Sequence, residues 1–194
     1  MAHRYWKPVA AAAAIILLVT VGFQVWQTWQ QNQRLESSER FTNALTLLNE
    51  GDDLGAVAEL GALSSEGGGY GVLASFNEAR LLAADDDVAA AVAIWDRLAA
   101  DSATSPAFRG VATLLSVMHQ INDGDAAALE AKLQPLTEAG NAYRPLAMEL
   151  SAAIALRQGD QARATSLYTL IADDPTAPVG VRGRAARMLA ALEE

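Results

Sequence analysis

The chain has 194 residues, with 23 acids against 14 bases, a net charge of −9 and no cysteine. Acidity of that size repels phosphate backbones and anionic headgroups and so argues against nucleic-acid binding. The missing cysteine removes disulfides, thiol nucleophiles, cysteine metal sites and lipid acylation in one stroke.

Ala and Leu dominate, proline is scarce, and no segment alternates apolar with polar residues, so the expected fold is all-α. The first element is a helix over 8–35. Its start, PVAAAAAIILLVTVGFQVW from Pro8 to Trp26, carries no charge, and at ~1.5 Å per residue spans roughly 28 Å, close to a bilayer's hydrocarbon thickness. This stretch is expected to be a transmembrane anchor over 8–27, with a short cytoplasmic segment at 1–7 before it. A linker or helix extension at 28–38 follows, and then a helical domain at 39–194. Arg4 and Lys7 precede the apolar run and no acid occurs before Glu36, which orients the N-terminus inward and sends the rest across. Tyr5 and Trp6 at one edge, with Trp26 and Trp29 at the other, match the preference of aromatic rings for membrane interfaces. A cleaved signal peptide is the rival, weakened by the absence of a small-x-small site in Phe23, Gln24, Val25, Trp26. A buried soluble helix is a third reading, and only Thr20 marks a polar face for it between Val9 and Phe23.

Further helices are expected at 38–50, 54–65, 70–84, 87–100, 106–121, 125–138, 142–158, 160–172 and 178–192. The breaks between them hold Gly51-Asp52-Asp53, Asp85-Asp86-Asp87, Asp123-Gly124-Asp125 and Gly159-Asp160. With Gly51, Asp86, Gly124 and Gly159 as equivalent points, the spacings are 35, 38 and 35 residues, the period of a helical-hairpin repeat. Gly or Asp can close one helix in the left-handed region, and the next Asp can accept from the free amides that open its successor. Five residues past each break stand Ala56, Ala91, Leu129 and Ala164. One turn later come Leu60, Trp95, Leu133 and Tyr168, then Leu63, Leu98, Leu136 and Ile171. These positions share one helix face. In the first helices Ala79 and Ala152 hold an expected small position, which Val117 breaks. Gly67-Gly68-Gly69 reads as a hinge, Ser102 to Pro106 as a loop, and Pro175 as the end of the last unit. The chain is thus expected to form about four degenerate αα-hairpins and a capping helix. This is the second-helix pattern of tetratricopeptide repeats, with a generic αα-solenoid as the alternative.

Three stretches carry a closer likeness: VWQTWQQNQ, the run GYGVLASFNEARLLAADDDVAAAVAIWDRLAAD from Gly69, and GDQARATSLYTLIAD near the end. With them the chain resembles the tetratricopeptide-like family of the ancillary SecYEG translocon subunit (YfgM-like). The resemblance implies a single-pass protein of the bacterial inner membrane with its domain in the periplasm. It implies contact with the SecYEG translocon and with a membrane-anchored chaperone or prolyl isomerase. The N-terminus departs from the family, whose members carry a longer, partly acidic segment there.

Catalytic chemistry finds little to work with. His119 is the sole histidine after His3, and Lys132 the sole lysine after Lys7, so a Ser-His-Asp unit lacks the usual partners and a Ser-Lys dyad would depend on Lys132. His119 is expected to pack or half-pack on its helix, and Lys132 to pair in solvent with Glu130 or Glu138. The acidic runs lack an EF-hand's ligand spacing, and the glycine run lacks the Lys-Ser/Thr of a phosphate loop. No metal, cofactor or catalytic site is expected. Arg182, Arg184 and Arg187 form the single basic cluster and are the candidate partner-binding residues. The expected function is a membrane-tethered interaction module that serves protein export. The alternative is a scaffold or assembly factor for a respiratory or envelope complex.

Overall fold

A computed structural model describes residues 6–193, and their side chains from residue 20 onward. Among the described residues every regular element is helical: α1 (Trp6–Glu50), α2 (Asp53–Glu66), α3 (Gly68–Ala84), α4 (Val88–Ala100), α5 (Pro106–Gln120), α6 (Ala126–Leu133), α7 (Arg144–Arg157), α8 (Gln161–Ala172) and α9 (Val179–Leu192). The chain forms two compact units, Met1–Ala74 and Ser75–Glu194.

In the first unit α1 is one helix of 45 residues, where two helices meeting near residue 36 were expected. No glycine or proline occurs between Gly22 and Gly51, so nothing interrupts the ladder. The expected transmembrane helix is not supported: among the described residues no helix is long and apolar enough to cross a membrane. Within the described side chains, exposed Val21, Phe23, Val25, Trp26 and Trp29 alternate with Gln24, Gln27 and Thr28 and give way to Gln30, Gln31, Asn32, Gln33 and Arg34, too polar a run for hydrocarbon. The apolar residues before Thr20 on which the expectation chiefly rested, and the flanking Arg4, Tyr5, Trp6 and Lys7, lie outside the described side chains.

The far end of α1 packs against α2 through fully buried Ala44, Ala56 and Leu60. Arg40 ties the two helices together by bonding Glu59 at 2.6 Å and Glu66 at the end of α2. The expected Gly67–Gly69 hinge is a tight corner instead. Gly67 and Gly68 sit at φ +75° and +70° and α3 starts at once. Gly71 then passes so close to α2 that a Cβ there would lie 2.9 Å from the Leu63 carbonyl oxygen.

The breaks follow the expected chemistry. Gly51, Asp86 and Gly159 have φ of +83°, +63° and +78°. The amide after each donates back to Leu47, Leu82 and Ala155 at 2.8 to 2.9 Å, the six-to-one bond of a helix closed by a left-handed residue. Gly124 differs: its amide bonds Gln120 at 2.7 Å and its φ is not positive. All four following aspartates cap the next helix. Asp52, Asp87, Asp125 and Asp160 accept from Gly55, Ala90, Ala128 and Arg163 at 2.8 to 3.1 Å. Each fills one donor that the helix start leaves open. We expect Asp160→Ala to lower stability by about 1 kcal/mol in urea unfolding, with the midpoint moved and the slope unchanged.

The twelve second-helix positions are all buried, from Ala56, Leu60, Ala91 and Leu133 at 0% exposure to Leu136 at 9%. In the second unit Val117, Leu129, Leu133, Leu136, Ala147 and Ile154 form one core cluster. Met148, Ala152, Ala164, Tyr168 and Ile171 form another, which Val181 and Ala185 of α9 close. The capping role expected of the last helix is therefore realised on the apolar side of α9. Two boundaries moved because of proline. Pro135 ends α6 at Leu133, leaving a 3-10 turn at Gln134–Leu136 where α-helix was expected. Pro145 sits in the first turn of α7, which opens at Arg144 instead of 142.

Candidate functional site

In the second unit the hairpins α5/α6 and α7/α8 spend the apolar faces of α6 and α8 on the core. Their first helices, with α9, carry apolar side chains that pack against the core on one side and stay part-exposed on the other. Val111, Leu114 and Met118 recur at helical spacing on α5, as do Leu146, Leu150 and Ala153 on α7. Together with Met188 of α9 they line a groove of about 770 Å³. Met118 stands 47% exposed there.

Two tyrosines shape the groove. Tyr143 precedes α7, and its hydroxyl donates to the Ala107 carbonyl at 3.0 Å, which lays the ring across α5. The ring fits because residue 110 is glycine: a Cβ there would meet Tyr143 Cδ2 and Cε2 at 2.5 Å. Tyr168 comes from α8 and is buried. Burial, with the Glu149 carboxylate adding to it, pushes the phenol above its ordinary value of 10.0, so it stays neutral.

The candidate arginines divide. Arg184 and Arg187 reach the groove; Arg182 does not line it, and its buried Nε has no hydrogen-bond partner among the described residues. Arg184 grips Glu149 of α7 in a two-pronged bond, Nε to Oε1 at 2.6 Å and Nη2 to Oε2 at 2.7 Å. That pair neutralises the one acid in the groove. Arg187 is exposed and has no acidic partner among the described residues. Its guanidinium lies back along α9, within 3.6 Å of where a Cβ on Gly183 would stand.

His119 is exposed, with its ring 4.6 Å from that of Trp95. The two border a smaller hollow of about 460 Å³ with Phe76, Arg80 and Leu115. Lys132 takes neither expected partner. It binds both oxygens of Asp96 at 2.8 Å and Ser116 Oγ at 3.1 Å, while Glu130 pairs with Arg163 at 2.9 Å. The structure does bring a serine to Lys132, but not a reactive one: Ser116 is fully buried and its hydroxyl donates to Asp96 at 2.6 Å. The cluster joins α4, α5 and α6 as a polar clasp.

Arg184 and Arg187 are legible in the sequence as a basic cluster; the groove they border is not. The signal was present in α5, where Val111, Leu114, Leu115 and Met118 give more apolar surface than one buried stripe requires. A family model described as a tetratricopeptide repeat-like domain matches residues 3–177. No curated protein and no solved structure matches the chain.

Proposed function

The chain belongs to the tetratricopeptide repeat-like domain family, and from that premise we propose that it is a protein–protein interaction module that holds a partner segment in the groove of α5, α7 and α9. The observation that carries this reading is the groove itself: an apolar surface drawn from three helices, with few polar groups, is what a folded domain presents to a ligand it has yet to bury. The family supports it, since such repeats stack hairpins into binding surfaces more often than they carry catalysis.

The finer reading is an accessory role beside the Sec translocon and a membrane-anchored chaperone or prolyl isomerase, on the periplasmic side of a bacterial inner membrane. The likeness of the Trp26 region, the run from Gly69 and the Gly159 stretch to the ancillary translocon subunit supports it. The test is affinity isolation of the tagged full-length protein from native membranes in mild detergent, with mass spectrometry. Translocon subunits with an isomerase are the expected company; a respiratory or envelope complex without them would move the role to assembly factor. Met118→Asp places a charge in the groove at an exposed position. It should cut partner recovery by about tenfold, roughly 1.4 kcal/mol, while circular dichroism stays unchanged. Undiminished recovery would remove the groove from the function.

A further inference from the structure

We propose that the occupant of the groove is an amphipathic helix of a partner protein that carries a carboxylate at its end over α9, received by Arg187. The proposal rests on the groove being the binding surface, and adds the chemistry of what it binds.

Three observations lead there. The walls are helices, and a helix interior spends its backbone donors and acceptors within itself. An extended peptide laid between them would bring its own amides and carbonyls onto Leu114, Leu146 and Leu150 with no sheet edge to pair them. A helix satisfies its backbone internally and offers only side chains, so it can fill an apolar groove without stranded polar groups. Secondly, Met118 and Met188 lie in the lining, and flexible thioethers adapt to the uneven ridges of a helix. Thirdly, the charge is inverted. The chain as a whole is at −9, yet in the groove Glu149 is bound to Arg184 and Arg187 is left over. An acidic residue on an apolar helix matches that surplus, and a basic one is repelled.

The test is selection from two displayed peptide libraries on the full chain, one with apolar residues at helical spacing and one with alternating residues, each with randomised charges. The expected winners are helical-spacing peptides with Asp or Glu near one end. A winning peptide should bind about tenfold more weakly to Arg187→Glu, and its Lys counterpart should regain affinity on that variant. Arg187→Lys should retain most of the binding. Winners from the alternating library, or helical winners indifferent to Arg187→Glu yet lost on Met118→Asp, would overturn the carboxylate-bearing helix and leave the groove as the site. Winners that bind Met118→Asp undiminished, or no winners from either library, would overturn both. A dimer in light scattering that Met118→Asp dissolves would give the groove to a second copy and overturn the proposal as well.

Discussion

Trp95→Ala is expected to destabilise the second unit by about 3–5 kcal/mol, the range for emptying a large buried aromatic site. The unfolding midpoint should fall by roughly 10 °C for a protein of this size. Trp95 is 2% exposed at the centre of α4, and its ring lies against that of His119 on α5. Its indole Nε1 has no hydrogen-bond partner among the described residues, so the loss is one of packing alone. Trp95→Phe therefore serves as the discriminating variant. It keeps a ring in the slot and gives up no hydrogen bond, so it should recover most of the stability. Equal losses in calorimetry for the two variants would mean that the indole nitrogen has a partner in solution.

Gly110→Ala, beneath the Tyr143 ring that lines the groove, should be destabilising. A mid-helix glycine normally gains about 1 kcal/mol on becoming alanine. Here the added methyl would stand 2.5 Å from two atoms of the Tyr143 ring. The ring must move, and its hydroxyl then leaves the Ala107 carbonyl. Overpacking of this kind costs about 1–3 kcal/mol, so the net effect is destabilising where propensity alone would stabilise. Removing the ring should remove the conflict. The double variant Gly110→Ala with Tyr143→Ala should be less destabilised in denaturant unfolding than the sum of the two single variants. Strict additivity would show that the methyl and the ring do not meet.

The parts of this protein that were legible in its sequence are those fixed by local rules. Capping aspartates at Asp52, Asp87, Asp125 and Asp160 were readable because a cap acts within three residues. The buried triads, such as Ala164, Tyr168 and Ile171, were readable because one helix face repeats at 35 to 38 residues. The same spacing points from Ala79 and Ala152 back to Ala44, seven residues before Gly51. It also points to Val117, which stood out as a mismatch yet is as fully buried as the alanines. The membrane-spanning helix rests on the length of one uncharged run with its basic and aromatic flanks, and the described part of α1 does not support it. What depends on the tertiary arrangement was not readable. Lys132 has acidic neighbours along its own chain, but its partner Asp96 lies 36 residues away. The groove could not be drawn either, since it consists of the faces of α5, α7 and α9 that packing leaves uncovered.

The clasp around Lys132 also bears on how this protein can be handled in the laboratory. Lys7 and Lys132 are its only lysines and it has no cysteine, and the Lys132 amine is engaged by Asp96 and Ser116. Amine-reactive dyes and lysine crosslinkers therefore have few sites on this protein, and at Lys132 they must compete with Asp96 and Ser116 for the amine. The same poverty makes the molecule a clean background. A single cysteine placed on the rim of the groove would be a unique thiol handle for fluorescence or crosslinking, with no native cysteine to mutate away first.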